Sequence, residues 1–127
     1  MRNLFWVVAG GFIGAILRYL ISGFVQNLTQ SATFPHGTLA VNIIGCFLIG
    51  IISYLVESQA GISPEMRLLV LVGILGSFTT YSTFSAETMN LLQDQRFFLG
   101  LINIGTHIIL GLSAVLLGRL TIIALWR

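Results

Sequence analysis

Gly76-Ser77-Phe78-Thr79-Thr80-Tyr81-Ser82-Thr83-Phe84-Ser85 decides how this chain is read, because it sets six serines and threonines among ten residues. The surrounding run, 66–92, has flanks at 68–75 and 89–92 apolar enough to sit in lipid, and residue 79 is its midpoint. Glycine, β-branched threonine and serines that bond their own backbone all weaken a helix. The stretch therefore predicts a helix break at membrane depth. In hydrocarbon each freed N–H and C=O must find a partner, so such a break survives only where it is buried in protein or lines a polar cavity. That makes it a candidate ion or substrate site.

Composition sets the class. Of 127 residues 56% are hydrophobic and 8% charged, and mean hydropathy is +0.97. Soluble domains carry about 25% charged residues. Uncharged stretches cover 3–17, 19–56, 68–86 and 97–118, and a span needs about 20 mostly apolar residues. The expectation is an all-α membrane protein, one four-helix transmembrane domain over 1–127, with the third helix broken at midplane. Six arginines, no lysine and four acids give a net charge of +2. They form no basic cluster, so no nucleic-acid partner is expected. The single cysteine, Cys46, lies within the second span and forms no internal disulfide.

Outward from the break, the first span, about 4–24, carries Gly10, Gly14 and Arg18 at four-residue steps on one face. The glycines predict close backbone packing against another helix. Arg18 has two readings, snorkelling to the interface or a buried pair with Glu87. A polar linker at 26–36 leads to the second span, 39–55, whose Thr38, Asn42 and Ser53 share a face with Gly45 and Ile49. Asn42 reads either as interhelical glue or as an amide donor facing a pore. Ser63-Pro64-Glu65 predicts an N-cap with proline in the first turn of the third span.

Beyond the break Thr80, Thr83, Glu87 and Asn90 recur on one side of a resumed helix, with Tyr81 and Phe84 at its edge. Aromatics three apart are commonly packing, and a polar neighbour strip leaves a ligand role open. The fourth span, 97–126, places Asn103, Thr106, His107, Gly111 and Ala114 on one face. His107 reads as a hydrogen-bonded bundle residue or as a proton or ion group. Arg119, Trp126 and Arg127 read as interfacial anchors.

With four spans, both termini and the 57–67 loop share one side, holding Arg2, Arg67, Arg119 and Arg127, while Arg96 and Arg18 take the other. So slight a bias permits insertion either way up, and with it an antiparallel pair of identical subunits. Four thin helices fill their own centre, so a pathway is narrow or lies between subunits. Its candidate liners are neutral: the Ser82 and Thr83 hydroxyls and the Asn42 and Asn103 amides. Such donors replace the lost hydration of an anion, while unpaired carbonyls at the break suit a cation. A proton-coupled drug transporter would need a membrane-buried carboxylate, for which Glu87 is the sole candidate. An enzyme is disfavoured, since no Ser/His/Asp arrangement or metal-ligand spacing is present.

Gly10 to Tyr19, Gly37-Thr38-Leu39 with Val41-Asn42 and Gly45, and above all Gly76 to Glu87 resemble the Fluc (CrcB-type) fluoride channels of bacteria in order and spacing over essentially the whole chain. The resemblance implies a fluoride-selective channel in the bacterial inner (plasma) membrane, exporting fluoride passively from the cytoplasm. It implies a dual-topology antiparallel homodimer in the lipid bilayer, with two pores and one structural sodium ion at the two-fold axis. On this resemblance the backbone carbonyls of Gly76 and Thr79 hold the sodium. Tyr81 and Phe84 are the pore-facing aromatics, Asn42 the pore amide, Ser82 and Thr83 the polar track, and His107 a fourth-span pore position. Tyr81 departs from the phenylalanine usual there, and His107 and Gly111 stand where the family often has serine.

Overall fold

A computed structural model describes residues 2–58 and 61–126, for Arg2 the backbone alone. All regular structure among the described residues is helical: α1 (Arg2–Thr29), α2 (His36–Glu57), α3 (Pro64–Arg67), a π-helical stretch (Leu68–Leu75), α4 (Gly76–Phe78), α5 (Tyr81–Gln93) and α6 (Phe97–Leu125). Among the described residues four helical runs are long and apolar enough to cross a membrane: Asn3–Thr29, His36–Glu57, Pro64–Gln93 and Phe97–Leu125. The first, second and fourth spans are each uninterrupted. α1 with 28 residues extends about 42 Å at 1.5 Å per residue, more than the roughly 30 Å hydrocarbon core. Its polar end, Gln26 to Thr29, therefore continues the helix past the apolar stretch, where the sequence predicts a linker.

The surface is apolar and the interior small. Phe12, Tyr19, Phe24, Leu112 and Leu116 are exposed, whereas among the described residues the buried apolar set is Val41, Leu75, Phe78, Leu91 and Ala114. In water such a surface would aggregate; against lipid tails it needs no cover. Helices then associate by close packing rather than by escaping solvent. Glycine seams supply it. A Cβ at Gly10 or Gly14 would overlap the carbonyls of Leu69 and Ile74, which bears out the seam read in the first span. A second seam joins α2 to α6, where a Cβ at Gly50 would strike the Val115 carbonyl and one at Gly118 the Phe47 carbonyl. Packing is thus interleaved, α1 against the third span and α2 against α6.

Local signals account for the ends. The Ser63 hydroxyl accepts from Met66 N at 3.2 Å and Pro64 opens α3, as the Ser-Pro-Glu sequence predicts. α5 ends with Gln95 at φ +60°, where Arg96 N donates to Leu91 O at 2.8 Å and Gln95 N to Leu92 O at 3.1 Å. That is a Schellman turn with glutamine in the left-handed position glycine usually takes. At the opposite end of the bundle Arg119 Nη2 donates to Glu57 Oε2 at 2.6 Å, with the guanidinium 5.6 Å from the Tyr54 ring centroid. Arg119 thus lies at the 57–67 end, as expected. The anchor role read for Arg127, and any contact of the Arg2 side chain, lie outside the described residues.

Candidate functional site

Between α4 and α5 the helical conformation lapses for two residues. Thr79 sits at φ −86°, ψ 156° and Thr80 at φ −151°, ψ 114°, both extended. The N–H groups of residues 80–83 thereby leave the i→i−4 pattern, and two of them take side-chain acceptors instead. The Thr80 N–H, which a continuous helix would direct to the Gly76 carbonyl, donates to Asn42 Oδ1 at 2.8 Å. The Thr83 N–H, which would bond the Thr79 carbonyl, donates to Thr80 Oγ1 at 3.2 Å. The carbonyls thereby released from the helical pattern are those of Gly76, Ser77, Phe78 and Thr79.

Asn42 does more than accept. Its Nδ2 donates to the Thr80 carbonyl at 3.2 Å, so one amide from α2 satisfies both backbone groups of a buried, extended residue. Asn42 thus acts as interhelical glue between α2 and the third span. Thr80 caps α5 and also donates its hydroxyl to Thr83 Oγ1 at 2.9 Å.

Beside the lapse lies a cavity of about 360 Å³, lined by Asn42, Cys46, Gly76, Thr79, Tyr81, Phe84 and His107 among others. Phe84 links its two sides, with its ring centroid 5.5 Å from Tyr81 and 4.3 Å from His107. His107 Nδ1 lies 2.9 Å from the Asn103 carbonyl, which can only accept, so Nδ1 carries the proton. Nε2 is buried with no partner among the described residues. Tyr81 is 80% exposed, at the cavity's outer edge. Ser82 and Thr83 are exposed on the first turn of α5 and do not line this cavity. Of the predicted polar liners Asn103 moves furthest: it is fully buried, and its Nδ2 donates to Thr88 Oγ1 at 2.9 Å.

A second, more polar cavity of about 490 Å³ gathers Ser22, Gln26, Thr38, Glu87, Asn90 and Asp94. Here the Arg18–Glu87 pair, one of the two readings of Arg18, does not form. Thr38 Oγ1 donates to Glu87 Oε1 at 2.6 Å, Oε2 is buried without a partner, and no ion pair reaches Arg18 among the described residues. The reason lies in which neighbours face each other. The Gly10–Gly14 face of α1 is spent on Leu69–Ser77, while Glu87 lies beyond Ser77 along the third span and meets α2. Sequence reading also missed Gln26, which accepts from Gly37 N at 3.0 Å and donates to the Phe34 carbonyl at 3.1 Å. No periodicity links residues eleven apart in an irregular turn.

Four membrane-crossing segments, with polar groups gathered around one two-residue lapse, define a small polytopic membrane protein with an internal polar site. The chain belongs to the CrcB family: the family described as "CrcB-like protein, Camphor Resistance (CrcB)" matches residues 5–119. It is 48% identical over 119 residues to the "Fluoride-specific ion channel FluC" of Shewanella woodyi, with 94% of each chain covered. With a protein of the same name from Maridesulfovibrio salexigens it shares 40% identity over 126 residues, 96% of this chain and 99% of the relative. The "Fluoride-specific ion channel FluC 1" of Methanosarcina acetivorans is 44% identical over 121 residues, 95% of this chain and 91% of the relative. The family is one of ion channels, not enzymes.

Proposed function

We propose that the chain is a fluoride-selective channel that lets fluoride leave the cytoplasm passively across the bacterial plasma membrane. In this reading two copies insert in opposite directions and pair as an antiparallel dimer with two pores. The observation that carries it is the lapse at Thr79–Thr80 with its cavity, which supplies the two things a dehydrated halide pathway needs. Neutral donors and aromatic edges there can stand in for lost hydration, with Phe84, Tyr81, Asn42 and His107 on the cavity wall. Ser82 and Thr83 would then line the route on the side exposed in the single chain.

The released Gly76 and Thr79 carbonyls suit a structural sodium ion, a hard cation that takes oxygen ligands. Gly76 is exposed in the single chain, so in this reading the partner's equivalent carbonyls complete the site. The interrupted segment would lie near the bilayer midplane, where irregular backbone is tolerated around such a site.

Proteoliposomes test the reading directly. Fluoride efflux is expected to exceed chloride efflux by orders of magnitude and to depend on sodium; equal rates for the two halides overturn it. Gly76→Val tests the cation site separately. A Cβ there meets only the Leu71 carbonyl, at an ordinary 3.6 Å, so the single chain can accommodate it. Loss of sodium dependence together with a weakened dimer is expected, and a normal dimer with normal sodium dependence excludes the carbonyl site.

A further inference from the structure

We propose that Asn103 is a positioning residue that holds Phe84 and His107 against each other. The inference rests on the channel reading, in which those two rings face the pathway. The imidazole and the backbone that carries the Phe84 ring are both tied to this one residue. Thr88 Oγ1 donates to the Phe84 carbonyl at 2.8 Å, and Asn103 Nδ2 donates to that same hydroxyl oxygen at 2.9 Å. From its backbone, Asn103 offers the carbonyl that accepts from His107 Nδ1 at 2.9 Å. One residue of α6 thus fixes the start of α5 through its side chain and the imidazole through its main chain. The rings those bonds hold are 4.3 Å apart.

The amide's orientation follows from proton count. A threonine hydroxyl has one proton, and Thr88 gives its proton to Phe84, so Asn103 must present its NH₂ to Thr88. Oδ1 is then left buried with no partner among the described residues, and the side chain has no exposed surface. Among the described residues the amide's one bond is to Thr88, so the side chain acts on α5 through that hydroxyl.

This assignment separates stability from permeation. Asn103→Leu keeps the volume and removes the stranded acceptor, so the thermal midpoint in detergent should not fall, while fluoride efflux from liposomes drops at least about tenfold because a group displaced by about 1 Å loses its alignment. Thr88→Val cuts the same link from the other end and should reproduce the loss. Thr88→Ser keeps the hydroxyl and should retain efflux.

The second readout is magnetic. Only His36 and His107 are present, so histidine-labelled protein gives two ring-proton sets. Those of His107 should move on Asn103→Leu and Thr88→Val, as the Phe84 ring current is lost, and stay in place in Thr88→Ser. Wild-type shifts and efflux in both disrupting variants overturn the assignment. Failure of both to fold also counts against it, by making the network purely structural. If wild-type liposomes fail to favour fluoride, the channel reading falls while the ring shifts still decide the role of Asn103.

Discussion

Set side by side, the α2–α6 pair and the third span solve the same problem in opposite ways. α2 and α6 are uninterrupted, so their backbones are satisfied internally and their contact is a matter of shape, with Gly50 and Gly118 letting main chain meet main chain. The third span is π-helical over Leu68–Leu75 and extended at Thr79–Thr80, so side chains must take over the bonds the helix gives up. The lesson concerns the placing of polar residues. Where the backbone is closed, a polar group is optional; where it opens, Asn42 and Thr80 are obligatory. Polar chemistry thus collects at the opening.

The contrast can be broken most severely at Asn42. Asn42→Leu strands the Thr80 N–H at about 1–3 kcal/mol, while the Thr80 carbonyl loses its second donor and keeps the first bond of α5. Interhelical side-chain bonds in membranes average only about 0.6 kcal/mol, but that average includes groups able to find other partners, which a buried extended backbone lacks. Thermal unfolding in detergent should show a fall of that size, and an unchanged midpoint would mean Asn42 is dispensable to the backbone.

Next in size is the closed region. Gly118→Ala forces α6 away from the Phe47 carbonyl at roughly 1–3 kcal/mol, whereas Gly11→Ala, with nothing within 4 Å, should be neutral or stabilising. Equal effects would erase the seam. Thr80→Val removes the cap of α5 at about 1 kcal/mol, read as faster amide exchange in the first turn of α5, with Thr80→Ser restoring protection. Smallest of all is Glu57→Gln. The Glu57 and Arg119 side chains are 55% and 44% exposed, and exposed ion pairs contribute little, so the melting curve should not shift; a clear drop would show that α2 and α6 depend on charge as well as shape.

Much of this was readable in the residues. Four apolar runs give four membrane-crossing helices because length and hydropathy are what a bilayer selects. Ser63-Pro64 announces its cap, and Gly10 with Gly14 announces a seam. The π-helical stretch was not legible, since Leu68–Leu75 reads Leu-Leu-Val-Leu-Val-Gly-Ile-Leu and hydropathy carries no record of whether an N–H reaches back four residues or five. Nor were the partners of polar groups. Glu87 could be placed on a helix face, but whether Arg18 or Thr38 met it depended on how neighbouring helices rotate. Asn103 shared a face with His107 in sequence yet faces Thr88 on α5 in the folded chain.

The interleaved packing carries a consequence for synthesis. Segments leave the ribosome in order, but α1 must wait for the third to arrive before its glycines are covered, and α2 must wait for the last. A nascent chain ending before Phe97 would hold Gly50 bare in the lipid, available to any passing helix, much as larger chains expose incomplete packing while folding. Biogenesis therefore finishes at the C-terminus: a stop codon before α6 removes the partner of the second helix as well as the fourth helix itself.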